Sequence, residues 1–268
     1  MKKGNLILKI AAIVSFVVMI VVNGLANLLP LGGVTTGQAS DSYANLFTPT
    51  GSTFAIWGVI YLLLGLYCAY QIGLFVKEKS KETEELLEKV AKLFIVTSVA
   101  NIAWIFSWHY NIIPLSVLFM LVLLVSLIFI NDIILKKKLS LSETAFIKAP
   151  FSVYLGWITV ATIANLTVLL VSLGWDGFGL TPEIWTVIIL AVGAIILALR
   201  AVKDKSIPYI LVGVWAYSGI LIKHTSAAGF DNQYQQIITT LIVSIVLFAI
   251  TISYLAYDRY FSKKIAKS

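Results

Sequence analysis

The chain has 268 residues, of which 59% are hydrophobic and only 12% charged, and its mean hydropathy is +0.94. A soluble domain carries about a quarter charged residues, so a core solvated by water is excluded and lipid is the solvent. The net charge of +7 does not point to nucleic acid, because no basic cluster is interleaved with aromatics; it is the cationic excess that membrane proteins leave on their cytoplasmic side.

Eight apolar stretches run 6–29, 53–76, 91–110, 112–135, 149–173, 182–202, 206–222 and 236–257. Their lengths predict an all-α, polytopic transmembrane helix bundle of about eight spans. The first, from Leu6 to Leu29, follows Lys2 and Lys3. It exceeds the roughly 7–15 apolar residues of a cleaved signal peptide, so it reads as a retained signal anchor. The segment 30–52 then forms a long loop rich in Gly, Ser and Thr, with Asp41 as its one charge. Loops of more than about 12–15 residues are often functional, and this one is placed to cover the mouth of a pocket.

In the second span, FAIWGVIYLLLG sets Phe54, Trp57, Tyr61 and Gly65 three, four and four residues apart, on one helical face. Cys68, the single cysteine, lies in the same span as a small apolar residue; one cysteine allows no disulfide and no cysteine-based metal site within the chain. The charged break 77–92 has both signs at helical spacing. It predicts a water-exposed extension of the third span, with ion pairs such as Glu85–Lys89. The third span carries Asn101, Trp104 and Trp108 on one face, and the fifth carries Tyr154, Trp157, Ala161 and Asn165. An amide in hydrocarbon is costly without a partner, so Asn101 and Asn165 are expected inside the bundle. Two readings stay open for these stripes: amides that hydrogen-bond between helices, or three faces converging on a pocket with apolar walls and a few polar groups.

Trp175 and Trp185 stand at span ends as interfacial anchors, and Trp215, inside the seventh span, reads as a packing residue. The seventh span is the shortest, at the lower limit for crossing. His109 and His224, the only histidines, fall at span ends and read as interfacial polar residues. Of the six prolines, Pro30 and Pro49 flank the first loop. Pro114, Pro150, Pro182 and Pro208 fall in the first turn of a span, where a missing N–H has no intrahelical partner to lose.

Nineteen of the twenty Lys and Arg residues fall in alternate breaks, and only Lys223 falls on the other side. This alternation predicts cytoplasmic N- and C-termini and an even number of crossings. The expected setting is an integral, multi-pass protein of a bacterial plasma membrane. No acidic residue lies at mid-membrane, no phosphate-binding glycine loop is present, and no nucleophile stands with a base. An enzyme is therefore not expected.

The three aromatic segments resemble the TspO/MBR family, the tryptophan-rich sensory proteins. TPTGSTFAIWGVIYLLLG matches that family's second helix through Pro49, Phe54, Trp57 and Tyr61. Asn101 and Trp104 match its third-helix motif, with Ala100 in place of Leu. The fifth-helix run, close to Y-L-A-W-x-x-x-A-x-x-L-N, is matched by Tyr154-Leu155-Gly156-Trp157, Ala161 and Asn165, with Ala164 in place of Leu. The resemblance covers roughly residues 6–173. It implies a five-helix membrane bundle over 1–175, to which 176–268 adds three further transmembrane helices and a basic tail.

What the resemblance implies is binding or sensing of a flat hydrophobic small molecule, tetrapyrrole- or sterol-like, in an intramembrane pocket. Phe54, Trp57, Tyr61, Asn101, Trp104, Trp108, Tyr154, Trp157 and Asn165 are the expected ligand-binding residues. No resident cofactor or metal is expected; a porphyrin or haem-like molecule would be a ligand. The expected partners are the lipid bilayer and that small molecule, with a homodimer open and nucleic acid excluded. The alternative is the membrane subunit of a permease for a hydrophobic substrate.

Overall fold

Ten α-helices follow one another in this computed structural model, which describes the backbone of residues 3–29 and 31–265 and the side chains of 6–29 and 31–260. Lys2, Pro30 and Lys267, and the side chains of Lys3, Lys263 and Lys264, lie outside the described residues. The helices are α1 (Lys3–Leu28), α2 (Thr36–Asp41), α3 (Ile56–Gln71), α4 (Lys81–His109), α5 (Ile113–Leu135), α6 (Leu141–Glu143), α7 (Ala149–Ser172), α8 (Pro182–Asp204), α9 (Ile207–Thr225) and α10 (Gln235–Ile265). A 3₁₀ turn, Gly51–Ala55, leads into α3, and a π-turn, Thr144–Lys148, joins α6 to α7 without a break.

Eight of these helical segments are long and apolar enough to cross a membrane, which makes the chain an integral membrane protein with eight candidate spans. The seventh, Ile207–Thr225, is again the shortest. Pro114, Pro182 and Pro208 sit in the first two positions of α5, α8 and α9, whereas Pro150 directly follows the π-turn inside the continuous helical segment 141–172. The charged break is helical from Lys81 onward, capped by the Ser80 hydroxyl, which accepts from the Thr83 amide. The pair along it is Glu88–Lys92 at 2.8 Å rather than Glu85–Lys89.

Packing divides the helices into two groups that share a wall. α4 lies between α1 and α5; α5 packs on α7, and α7 on α3. α8 and α9 both pack on α10, and α9 packs along α7. That last contact depends on Gly156. A Cβ there would stand 2.9 Å from the Tyr209 carbonyl oxygen and 3.0 Å from Val212 Cβ, so only a residue without a side chain lets the backbones approach this closely.

Charges cluster at one end, called here the basic face. Lys9, almost fully buried on α1, pairs with Glu84 of α4 at 2.7 Å. Arg200 of α8 reaches Asp132 of α5 at 2.8 Å and Asp204 at 2.7 Å. The opposite face carries the loop 31–52 and the α7–α8 and α9–α10 connections.

Candidate functional site

Trp57 is the hub around which the three aromatic stripes meet. Its ring lies 6.0 Å from Trp104 of α4, 6.3 Å from Trp157 and 5.9 Å from Tyr154 of α7, and it stacks on Tyr61 at 5.6 Å. Phe54 meets Trp157 edge-on at 5.7 Å, and Trp108 stacks on Trp104 at 5.9 Å. All seven aromatics named from the sequence thus form one connected cluster, with edge-to-face and stacked geometries that ring quadrupoles favour.

Within the cluster lies a small void of about 30 Å³. Phe54, Trp57, Trp104, Trp108, Trp157 and Asn165 line it, together with residues not singled out from the sequence, among them Met120, Ser40 and Pro49. Tyr61, Asn101 and Tyr154 stand behind this lining. Such a space suffices for a water molecule or so and is far below the roughly 300–1,000 Å³ of a pocket that holds a drug-sized ligand. The aromatic walls are largely closed on one another.

Both amides are buried, and both bridge helices. Asn101 Oδ1 accepts from Asn23 Nδ2 of α1 at 2.7 Å, and Asn101 Nδ2 donates to the Tyr154 hydroxyl at 3.4 Å. Asn165 shares a hydrogen bond with the Ser116 hydroxyl of α5, 3.1 Å from its Nδ2. Asn23 escaped the sequence reading although its signal was the same, a lone amide inside an apolar span.

The indole N–H groups behave differently from the amides. Trp108 Nε1 donates to the Thr36 carbonyl at 3.2 Å. Trp104 Nε1 and Trp157 Nε1 are buried and have no hydrogen-bond partner. Both rings line the void. A buried polar group left unpaired costs about 1–3 kcal/mol, so each of these two tryptophans carries an unmet donor.

The loop 31–52 roofs the void, contributing Ser40 and Pro49. On one side it is fastened to α4. His109 Nδ1 donates to the Leu31 carbonyl at 3.0 Å, and its Nε2 shares a hydrogen bond with the Thr36 hydroxyl at 3.1 Å. On the other side it is fastened to α9 and its C-terminal end. Asp41 pairs with Lys223 at 2.7 Å, His224 Nε2 donates to the Leu46 carbonyl at 2.9 Å, and the Thr50 amide donates to the Gly219 carbonyl at 3.3 Å. Trp215 Nε1 donates to the Thr53 carbonyl at 2.9 Å.

These contacts correct two expectations, for the histidines and for Trp215, and add a turn contact at Trp175 and Trp185. His109 and His224 are not interfacial: they are 2% and 0% exposed and anchor the roof. Trp215 is half-exposed, and its indole N–H rather than its packing ties it to the loop. Trp175 and Trp185 lie against each other at 5.0 Å, and Trp185 Nε1 donates to the Gly177 carbonyl, so they close the α7–α8 turn.

A family model described as TSPO-like protein matches residues 9–254. The matched segment runs from α1 into α10 and so takes in the three spans for which the sequence offered no motif. No curated protein and no solved structure matches the chain.

Proposed function

This chain belongs to the TSPO-like family, and we propose that it binds or senses a flat hydrophobic small molecule, tetrapyrrole- or sterol-like, at the Trp57–Trp104–Trp157 cluster. It does so as a binding protein rather than an enzyme, with its basic face and both termini in the cytoplasm. One observation carries the reading: three aromatic helix faces meet at a void lined by two tryptophans whose buried indole N–H groups have no acceptor. Rings that stack on one another can part to stack on a planar guest. The two N–H groups call for a guest with a carbonyl or carboxylate at its edge. Asn101 holds Tyr154 in place, and Asn165 borders the guest. In this division of labour residues 1–175 supply the walls and one fastening of the roof, and residues 176–268 hold its other side.

Titration of the purified protein with a porphyrin, followed by tryptophan quenching, tests the proposal. Saturable quenching is expected. Trp57→Ala and Trp157→Ala should each weaken binding by about 1–3 kcal/mol through lost stacking and apolar contact. Absence of saturation, or equal quenching curves for both variants and the parent, sinks the idea. Porphyrin-loaded vesicles separate it from the permease alternative, because a binding protein leaves the flux across the bilayer unchanged.

A further inference from the structure

Two clefts lie at the basic face, away from the aromatic cluster. One, of about 510 Å³, opens between the start of α7 and α10 and is floored by Ser206, Ile207 and Pro208 at the start of α9. The small residues Ala145, Ala149 and Ser152 line one side of it, and Leu255 lines it from α10. The other, of about 450 Å³, runs from there toward the end of α5. The two share Thr144, Lys148, Lys205 and Arg259, so they adjoin in one region of the basic face.

Five cations line the two clefts: Lys137, Lys148, Lys203, Lys205 and Arg259. They come from four separate places along the chain: the end of α5, the π-turn, the α8–α9 turn and α10. Two carboxylates line the clefts with them, and a third, Asp132, lies 3.4 Å from Lys203. Asp258 is engaged by Lys205 at 2.9 Å, and Asp204 Oδ2 by Arg200 at 2.7 Å. Lys137 and Arg259 have no carboxylate partner among the described residues. Lys148 spends hydrogen bonds on the Asp204 and Lys205 carbonyls, at 2.8 and 3.4 Å, and an ammonium has a third proton to give. A positive-inside bias explains cations at this end but not their convergence on one region with apolar walls.

A second observation is independent of charge. Asp204 is 2% exposed, and its Oδ1 has no hydrogen-bond partner. Asp204 lines the second cleft, and a buried carboxylate oxygen without a partner calls for a donor.

We propose that these adjoining clefts hold the headgroup of an anionic phospholipid. Its phosphate sits among the five cations, a headgroup hydroxyl donates to Asp204 Oδ1, and an acyl chain lies along the apolar wall formed by Leu141, Ala145, Ala149 and Leu255. Phosphatidylglycerol has this chemistry: one negative charge, hydroxyl donors and two tails. Basic recesses between transmembrane helices on the cytoplasmic side suit such headgroups on general grounds.

The test is native mass spectrometry of the full chain, stripped in detergent and titrated with defined lipids. Phosphatidylglycerol should be retained, and phosphatidylcholine should not. Lys137→Gln combined with Arg259→Gln, both at exposed positions, should weaken retention about tenfold or more. Lys77→Gln combined with Lys89→Gln, exposed elsewhere on the basic side, should leave it unchanged. Phosphatidylmethanol has the same charge but no hydroxyl, and should bind about tenfold more weakly than phosphatidylglycerol through the lost donor. Equal loss in both double variants would mean general attraction and overturn the site. Equal retention of phosphatidylmethanol overturns the hydroxyl contact. Displacement of the lipid by millimolar inorganic phosphate would identify a soluble anion site instead.

Discussion

Trp104 and Trp157 present the sharpest residue-level tension, because each buries an N–H with nothing to accept it. Replacing either by Phe removes the donor and keeps most of the ring. If the donors await a guest, Trp157→Phe should leave the empty protein as stable as before, or more stable by up to about 1–2 kcal/mol, and weaken porphyrin binding. Thermal unfolding in detergent and a quenching titration, run on the same preparation, read both quantities. A variant that loses stability and keeps its affinity would show that the N–H serves the fold. Trp108 is the internal comparison. Its indole already donates to Thr36, so Trp108→Phe should loosen the roof and reduce stability by about 1 kcal/mol.

At the scale of elements, two glycines set where helices and turns approach. Gly156 occupies the place where the fifth-helix run of the resembling family has alanine, and here α9 passes within contact of the backbone. Gly156→Ala should push α7 and α9 apart and cost about 1–3 kcal/mol, read as a fall in the unfolding midpoint. Gly219 faces the Thr53 side chain so closely that a Cβ would collide with it. Gly219→Ala should displace the Gly51–Ala55 turn, speed protease cleavage within 34–50 and raise the rate of porphyrin uptake. Cleavage and uptake rates equal to those of the parent would mean that this contact does not hold the roof.

The spans, their proline starts and the shared faces of the three stripes were legible in the sequence, because helical periodicity and the cost of burying an amide are local properties. The roof fastenings were not. His109, His224 and Trp215 find partners more than 70 residues away, and nothing in their neighbourhoods announces a carbonyl waiting there. The size of the space between the stripes was illegible for the same reason, since it depends on how side chains from three helices interlock.

Across the whole molecule, the alternation of basic breaks orients every span at once. Phe178→Cys, in the exposed α7–α8 connection, should react with a membrane-impermeant maleimide added outside intact cells. Glu78→Cys, in the exposed α3–α4 connection, should react only after lysis. The buried native Cys68 should stay silent in both cases, and the reverse pattern would invert the topology. A molecule the size of a porphyrin cannot enter a resting interior with room for about one water. Its capture must wait for a rarer, parted form of the protein. Were that form one molecule in about a hundred, the measured dissociation constant would be about a hundredfold weaker than the intrinsic one. In stopped-flow mixing the observed rate should therefore level off as porphyrin is raised, at the frequency with which the protein breathes. A rate that climbs linearly throughout would mean that the resting form is already receptive.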